Sequence, residues 1–476
     1  MNRDPAPAER RGGRPWWGIP DWLLLGLAIR LLLVPFSHPW DLQTWYNVFV
    51  DLAHNHSPYE TMRYLTYSTR SEWGLLPLEI DRLFPVSKAL YYEYYAYPPL
   101  PLAIYYPLAK LYALFAPLHY QFVVQGALAA HRVPLLFLVF FKAPIFAAGV
   151  CVALVLRRLA GERQARTFFL NPLVILVSAA WTIEDIMTAF VVLALFLLLR
   201  KRDGLAGFAL ALGTLTKWWP GVLWPAAALW LLHQRAPARR QAAFHGVFLL
   251  TLAGGIIPFW DGIRFVAQFQ ALRPGQNLTP HVLLYLLAQF HHLDAGWYDY
   301  VLSPYVGAIT LPLVLGAAYL VQVRRSLPLP TAAALTVVAF FLGSKIVNEQ
   351  YIVLLLPLLL WEEAERPSPV KTFLFRAFYA LPLTNAMLNV PFIAFALPAY
   401  LQFGRPDLSA AYGLGRAFPL RLHAAVLTLL AFAFVGLLCN AWRVLTLEGG
   451  DETVPDPARR SDPDRARLEL PPYPVG

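Results

Sequence analysis

The chain has 476 residues, of which 58% are apolar and only 14% are charged. A soluble globular domain carries about 25% charged residues, so this composition argues against a water-soluble fold. The net charge of +10 does not indicate a nucleic-acid partner, because the basic residues stand in short runs between apolar segments, as the cytoplasmic anchors of membrane spans do.

The two ends of the chain are polar, whereas the residues between them are mostly apolar. Residues 1–15 predict a disordered cytoplasmic N-terminus, and residues 447–476 predict a disordered cytoplasmic tail. The intervening residues 16–446 predict an all-α polytopic membrane domain of about 13–14 transmembrane helices. The first apolar run, residues 17–36, ends without a small-residue cleavage site, so we expect a retained first span.

Positive clusters set the expected topology. Arg10, Arg11 and Arg14 precede the first span, so its far end should emerge outside and both termini should be cytoplasmic. Successive clusters among the others are far enough apart in sequence for two membrane crossings. We therefore expect all of them on the inside. They are Arg157/Arg158/Arg163/Arg166, Arg200/Lys201/Arg202, Arg235/Arg239/Arg240, Arg324/Arg325, Arg366/Lys371 and Arg443.

The expected spans follow because an even number of crossings must separate two clusters on the same side. Three crossings between residues 97 and 157 put Lys142 at an outer turn and Pro144 in the first turn of a span, where its missing N–H costs nothing. These three are 98–117, 120–141 and 143–156. The later spans are expected at 167–181, 186–199, 205–216, 221–232, 242–260, 304–323, 330–343, 351–361, 373–400 and 420–442.

This topology places a set of charged residues at the outer ends of spans. They are Asp41, Lys142, Glu184, Asp185, Lys217, Arg273, Lys345 and Glu349. One such charge is usually a snorkelling side chain or an interfacial anchor, because a charge at the bilayer centre costs about 2.5–3.5 kcal/mol on insertion scales. Lysines at outer ends run against the inside bias, however, so the set as a whole indicates a functional site.

Residues 37–97 form the expected first outer loop, which is too long and too aromatic for a simple connector. Apolar residues recur in it at helical spacing, namely Leu42, Trp45, Phe49 and Leu52. We therefore expect an interfacial amphipathic helix over residues 41–53. Asp41 would be its N-cap, and this structural role is the alternative to a catalytic one. Residues 261–303 form a second large outer loop.

The polar residues limit the chemistry. The sequence shows no His/Cys ligand spacing, no Ser/His/Asp arrangement in a recognisable context and no Gly-rich phosphate loop. His291, His292 and Asp294 imitate a metal cluster, but adjacent histidines point apart on a helix. A carboxylate that takes a proton from a hydroxyl, beside cations that neutralise a departing phosphate, suits group transfer from a lipid phosphate. Cations alone would equally suit binding of a lipid head group.

Five local patterns follow one another along the chain. The first is Asp41 outside the first span, then Ser57-Pro58-Tyr59 and Tyr97-Pro98-Pro99-Leu100. The next three are Lys142-Ala143-Pro144, Asn171-Pro172-Leu173 through Trp181-Thr182-Ile183-Glu184-Asp185, and Leu215-Thr216-Lys217 with Pro220. The fifth is Lys345-Ile346-Val347-Asn348-Glu349-Gln350-Tyr351 before Leu356-Pro357, and Arg273-Pro274 with Gln276 precedes it.

In order and spacing these patterns resemble the multispanning glycosyltransferases of the GT-C fold over most of residues 20–360. They are most similar to the polyprenyl-phosphate-mannose-dependent mannosyltransferases, including the GPI mannosyltransferase I type. Thr182 and Ile183 stand where that family often has Gly and Gln, so the comparison of this turn is safest for Asp185.

Asp41-Leu42-Gln43 lacks an Asp-x-Asp pair, which together with the missing ligand spacing predicts no metal and no cofactor. Chelation by EDTA should leave activity largely intact, and complete loss rescued by one metal would contradict this.

The resemblance implies a GT-C-like helical bundle and an inverting transfer of one sugar, by analogy mannose, from a polyprenyl- or dolichyl-phosphate donor. The acceptor would be a glycan or lipid on the extracytoplasmic face of the plasma membrane. Asp41 would be the general base on the acceptor hydroxyl. The candidates to neutralise the donor phosphate are Lys142, Lys217, Arg273 and Lys345. The candidates to bind sugar hydroxyls or orient these cations are Asp185, Gln350 and Tyr351.

Two other functions fit the composition. A transporter or lipid flippase would use the outer charges as a gate, but the sequence shows no internal repeat and no matching pair of broken helices. A lipid-linked sugar ligase or polymerase would differ in using a diphosphate donor. A transfer assay with defined donors distinguishes the three.

Overall fold

The computed structural model describes residues 19–35, 39–59, 95–119, 134–181, 183–272, 276–278, 303–389 and 420–447. Nearly all regular structure in these residues is α-helical, and the strands are limited to one two-residue parallel bridge. The predicted all-α class is therefore confirmed. The polar ends and most of both large outer loops lie outside the described residues.

The helices of the first half are α1 (Asp21–Leu32), α2 (Pro39–Ala53), α3 (Leu100–Ala113), α4 (Leu135–Ala160), α5 (Glu162–Phe169), α6 (Pro172–Ala180), α7 (Glu184–Leu199) and α8 (Asp203–Thr216). Those of the second half are α9 (Leu223–His233), α10 (Ala238–Ile256), α11 (Trp260–Leu272), α12 (Ser303–Arg324), α13 (Leu329–Gly343), α14 (Ile352–Glu365), α15 (Pro369–Asn389) and α16 (Leu420–Leu447). Short 3₁₀ helices cover Trp219–Val222, Ile257–Phe259 and Glu349–Tyr351. The parallel bridge joins β1 (Gln276–Asn277) to β2 (Ile346–Val347).

Among the residues that the structure describes, four helical stretches are long and apolar enough to cross a membrane: Leu135–Ala160, Ala238–Arg264, Val306–Arg324 and Val426–Leu447. Two of them turn large apolar side chains outward, since Leu250 is 74% exposed and Leu313 is 67% exposed. In contrast, α13 and α14 are buried along almost their whole length. Helices that are apolar on all sides are stable only inside a protein or in lipid, so these helices agree with the membrane character predicted from composition.

Charged contacts gather at two opposite ends of the bundle. At one end, which we call the Lys217 end, the last turn of α8 meets the first turn of α7 through Lys217 and Glu184. At the other, which we call the Arg240 end, Arg240 forms a bidentate pair with Asp203, the first residue of α8. The 14 residues of α8 separate the two ends by about 20 Å.

The predicted turn at Lys142 is wrong. Helix α4 runs without interruption from Leu135 to Ala160, through both Lys142 and Pro144. The Lys142 ammonium is buried and donates to the carbonyl oxygen of Val34 at 2.6 Å, just beyond the end of α1. A lysine inside an apolar helix is tolerated here because it binds one of the carbonyls that a helix end leaves unsatisfied.

The predicted span over residues 167–181 is also interrupted. Helix α5 ends at Phe169, and α6 begins at Pro172 after Asn171. The Asn171 side-chain oxygen accepts hydrogen bonds from the backbone N–H groups of Leu173 and Val174, at 2.9 and 3.4 Å. An Asn N-cap followed by Pro at the first helical position favours a new helix start over continuation.

Helix α2 differs in two ways from the expected surface helix. It begins at Pro39, so Asp41 lies in its first turn and not at the N-cap. Trp45 and Phe49 pack into an aromatic cluster with α3 and α4, but the opposite face is buried too, including Thr44, Asn47 and Asp51. The helix is therefore enclosed by protein on both faces and does not lie with a polar face in water.

Helices α8 and α10 approach so closely that one position permits only glycine. A β-carbon on Gly207 would clash with the backbone carbonyl oxygen of Phe244. We expect Gly207→Ala to lower the free energy of unfolding by about 1–3 kcal/mol, because the two backbones must move apart. Gly246→Ala in α10 is the control, since nothing lies within 4 Å of the added methyl group. Thermal unfolding of the purified proteins measures both, and equal midpoints would contradict this packing argument.

Candidate active site

The Lys217 end is organised around a buried ion pair. Helix α8 stops at Thr216 because the Lys217 backbone is extended, with φ −148° and ψ 138°. The ammonium of Lys217 bonds to the carboxylate of Glu184, whose side chain is fully buried. Glu184 is the first residue of α7, where the helix dipole favours a negative charge. The pair therefore ties the end of one helix to the beginning of its neighbour.

Aromatic rings surround the ammonium of Lys217. Its Nζ lies 4.2 Å from the ring centre of Tyr351 and 5.6 Å from that of Tyr97. Trp219 stacks behind Tyr351 at a centroid distance of 5.9 Å and on Phe340 at 4.9 Å. Such cation–π contacts contribute about 2 kcal/mol when they are desolvated. These contacts bring together Tyr97 before α3, Trp219 after α8 and Tyr351 before α14.

The segment between α13 and α14 contributes the other polar groups. Ser344 stops α13 and its hydroxyl donates to the carbonyl oxygen of Ile346 at 2.8 Å. Glu349 and Gln350 are buried in the 3₁₀ helix that follows, and the Glu349 carboxylate accepts a hydrogen bond from Asn385 of α15. The carboxylates of Glu349 and Glu184 are thus both held by protein partners.

The bridge between β1 and β2 connects the second large outer loop to this segment. Gln276 pairs with Ile346, and the N–H of Leu278 donates to the carbonyl oxygen of Val347 at 3.1 Å. Lys345 stands directly before β2, and its aliphatic chain lies against α12 near Gly307. Arg273 lies outside the described residues, three positions before Gln276, so the chain places it close in sequence to the strand that pairs beside Lys345.

Helix α2 reaches the same end through aromatic contacts. Trp45 stacks on Tyr97 at a centroid distance of 5.5 Å. The Tyr59 hydroxyl donates to the carbonyl oxygen of Tyr97 at 2.8 Å, and burial raises the pKa of Tyr59 far above its ordinary value, so it remains a donor. Asp41 is the third residue of α2, one turn before Trp45. The helix that carries the proposed base therefore packs against a ring of the Lys217 site.

Two predicted site residues contact neighbouring helices. Lys142 binds the end of α1, as described above. Asp185 follows Glu184 directly but is fully buried, and its Oδ2 accepts a hydrogen bond from the Ser178 hydroxyl of α6 at 3.1 Å. Through these contacts Lys142 and Asp185 help to pack the helices around the site.

The structure brings together Lys217 and Tyr351 from the predicted set, with Gln350 adjacent in sequence and Lys345 in the same segment. Sequence reasoning did not single out Tyr97, Trp219 or Asn385 as site residues. Tyr97 and Trp219 both lie within the five sequence patterns, so the patterns could have indicated them as site residues. Asn385 carries no sequence signal, because its role depends only on how α15 packs.

Within the described ranges no group of three or more His, Cys, Asp or Glu side chains has the geometry to hold a metal ion, and His291, His292 and Asp294 fall outside those ranges. No protein-family model matches the chain, and a search of curated proteins found no significant match. Function has to be inferred from the chemistry of the Lys217 end.

Proposed function

We propose that the protein is a multi-pass plasma-membrane glycosyltransferase with a GT-C-like bundle of about 13–14 spans. It transfers a sugar, with mannose as the first to test, from a polyprenyl-phosphate donor to a glycan or lipid acceptor. The reaction takes place on the extracytoplasmic face and inverts the anomeric centre. Both termini are cytoplasmic, and the Lys217 end faces outward.

The observation that supports this proposal is the convergence of separate sequence patterns at one end of the bundle. Tyr97, Glu184, Lys217 and Tyr351 belong to four of the patterns that resemble the mannosyltransferases, and the first, second and fourth of these residues each lie close to the Lys217 ammonium. A set of chance resemblances has no reason to meet in space. An aromatic-lined cation beside apolar helices also suits a ligand that joins a phosphate, a sugar and a lipid tail.

The reaction follows from this set of groups. The acceptor hydroxyl attacks the anomeric carbon of the donor sugar, and the bond from that carbon to the phosphate oxygen breaks. The hydroxyl proton passes to Asp41, and the polyprenyl phosphate leaves with the bonding electrons. Lys217, Lys345 and Arg273 offset the charge that develops on the phosphate, with Gln350 and Tyr351 as candidates to contact the sugar. Cations act here mainly in the transition state, when the negative charge is largest.

The other carboxylates at this end are poor candidates for the base. Glu184 is paired with Lys217, Glu349 accepts from Asn385, and Asp185 accepts from Ser178, all at buried positions. A carboxylate that already neutralises a lysine is a weak proton acceptor. This favours Asp41, the third residue of α2, which the sequence patterns also single out.

The direct test is incubation of the purified protein in lipid with radiolabelled polyprenyl-phosphate sugars and a panel of acceptors. Polyprenyl-diphosphate sugars and a lipid-translocation assay run beside it. Transfer from the monophosphate donor supports the proposal. Transfer from the diphosphate donor alone would indicate a ligase or polymerase, and translocation without transfer would indicate a flippase; either result overturns the proposal.

Sidedness is testable without a substrate. Reporters at Gly476 and tags near Ala160 and Arg240 should be read from the cytoplasmic side, because basic clusters adjoin these positions. Tags near Ser68 and Gln289 should be accessible from outside intact cells. A tag at Ser68 on the same side as Gly476 would contradict an outward-facing Lys217 end.

A further inference from the structure

Two oppositely charged side chains, those of Arg30 and Asp185, border one region inside the bundle next to the Glu184–Lys217 pair. Arg30 of α1 and Asp185 of α7 are both fully buried, and their charges lie within electrostatic range. A β-carbon on Gly149 of α4 would stand 3.4 Å from Asp185 Oδ1 and 3.8 Å from the ring of Phe169. The Arg30 guanidinium lies over that same ring, with its carbon 4.0 Å from the centroid. Arg30 and Asp185 thus border one small region between α1, α4 and α7.

Several polar atoms in this region have no protein hydrogen-bond partner. The Nη1 of Arg30 donates to the carbonyl oxygen of Gly26 at 3.0 Å, but its Nε and Nη2 have no partner among the described residues. The same holds for Asp185 Oδ1 and for the hydroxyl of Thr188, which is one turn further along α7. Among the described residues of this part of the bundle, two donor groups, one carboxylate oxygen and one hydroxyl therefore have no protein hydrogen-bond partner.

A buried charge without a partner is too costly for a stable fold. Removing one member of a buried ion pair is strongly destabilising, and buried water usually satisfies the polar groups that protein atoms do not reach. A water molecule needs two to four polar partners, which the guanidinium, the carboxylate and the Thr188 hydroxyl supply together. Water can both accept from Arg30 and donate to Asp185, which no single neighbouring side chain does here.

We propose that Arg30 and Asp185 form a water-bridged ion pair that joins α1 to α7, and that Arg30 acts through Asp185 as a positioning residue for the adjoining Glu184. Glu184 and Asp185 occupy the first turn of α7. A fixed Asp185 therefore fixes the backbone from which Glu184 reaches Lys217. The ion pair does not depend on the proposed reaction, whereas its effect on catalysis rests on the proposed function.

The coupling is tested with Arg30→Gln, Asp185→Asn and the double variant in the full-length purified chain. Each single variant should lower the thermal unfolding midpoint by several degrees, since it leaves one buried charge unpaired. The double variant should be more stable than the worse single variant. Losses that simply add would overturn the ion pair.

The bridging water is tested with Thr188→Val, which removes only the hydroxyl. If that hydroxyl binds water, the unfolding midpoint should fall, about as much as for Thr214→Val, whose hydroxyl donates to the carbonyl oxygen of Leu210 at 2.9 Å. If the hydroxyl is in a dry cavity, valine removes an unsatisfied group and the midpoint should rise. A rise would overturn the water bridge.

The positioning role needs a readout that general destabilisation does not move. Hydrogen exchange over residues 183–187 should become faster in Arg30→Gln and should return toward wild type in Arg30→Lys. Lys371→Met breaks another buried pair, Lys371–Glu362 at 3.1 Å, at the Arg240 end, and should destabilise the protein without this local change. Equal exchange in both variants would overturn the positioning role.

The kinetic arm separates this inference from the proposed function. In the transfer assay Arg30→Gln should lower kcat about 10-fold with little change in acceptor KM, because the cation is misplaced while acceptor contacts remain. Unchanged kcat alongside faster exchange would overturn the catalytic part of the inference. If the wild type transfers no sugar, the proposed function fails, while the midpoints and exchange rates still decide the ion pair.

Discussion

Asp41→Asn should lower sugar transfer by about 10²- to 10⁴-fold, the range associated with loss of a general base. Asparagine has the same shape as aspartate and is equally acceptable at the beginning of a helix, so α2 should fold as before. Asp41 lies in the first turn of α2, and the burial of Trp45 and Phe49 anchors that helix independently of residue 41. The transfer rate and the thermal unfolding midpoint, measured on the same preparation, test both expectations.

Asp21→Asn is the matched control for this substitution. Asp21 is the first residue of α1 and is exposed, so the same chemical change in a comparable helical position should alter neither rate nor midpoint. Near-wild-type transfer by a well-folded Asp41→Asn protein would show that Asp41 is not the base. The base would then have to be Glu184, Asp185 or Glu349, and one of the buried carboxylates would have to exchange its partner during the reaction.

Lys217→Met should lower the free energy of unfolding by about 3–5 kcal/mol, because it leaves the carboxylate of Glu184 buried without its countercharge. It should also abolish transfer, since the donor phosphate loses a cation. The double variant Lys217→Met with Glu184→Gln should recover most of the stability, because a neutral amide no longer requires a cation. Transfer should stay low in the double variant, so stability and activity separate.

The control for the lysine is Lys110→Met in α3. Lys110 donates to the carbonyl oxygen of Ala53 at 2.7 Å and lies 5.5 Å from the ring centre of Tyr106. Its loss removes one hydrogen bond to a carbonyl and should cost only about 1 kcal/mol. If the double variant at Lys217 and Glu184 is no more stable than Lys217→Met alone, the ion pair is not what stabilises this end. If it regains full transfer, Lys217 does not serve the phosphate.

Much of the helical pattern was predictable from local sequence. The spans expected at residues 186–199, 205–216 and 330–343 correspond to α7, α8 and α13, whose bounds differ from the prediction by two residues or fewer. Each of these runs is apolar throughout and ends at a charge or a glycine. Apolar length and flanking charge act within a few residues, so sequence alone reveals them.

The errors came from charges whose partners are distant in sequence. Lys142 in an apolar run was interpreted as a turn, because an unpaired charge inside a helix is costly. Its partner, the carbonyl oxygen of Val34, is 108 residues away, and only the packing of α4 on α1 brings the two together. Glu184 and Asp185 are adjacent in sequence, and only the packing shows that the helix turns the two carboxylates toward different neighbours.

The sequence by itself determined the all-α class, the presence of helices long and apolar enough to cross a membrane, and the position of Glu184 and Lys217 at helix ends. Composition, apolar run length and capping residues are sufficient for that, since they act through local geometry and through the cost of placing charge in lipid. Only the tertiary structure decided which charges meet: Glu184 with Lys217, and Asp185 with the region around Arg30. Those pairings depend on the rotation and crossing of whole helices, which the packing of many apolar side chains sets together and no local pattern encodes.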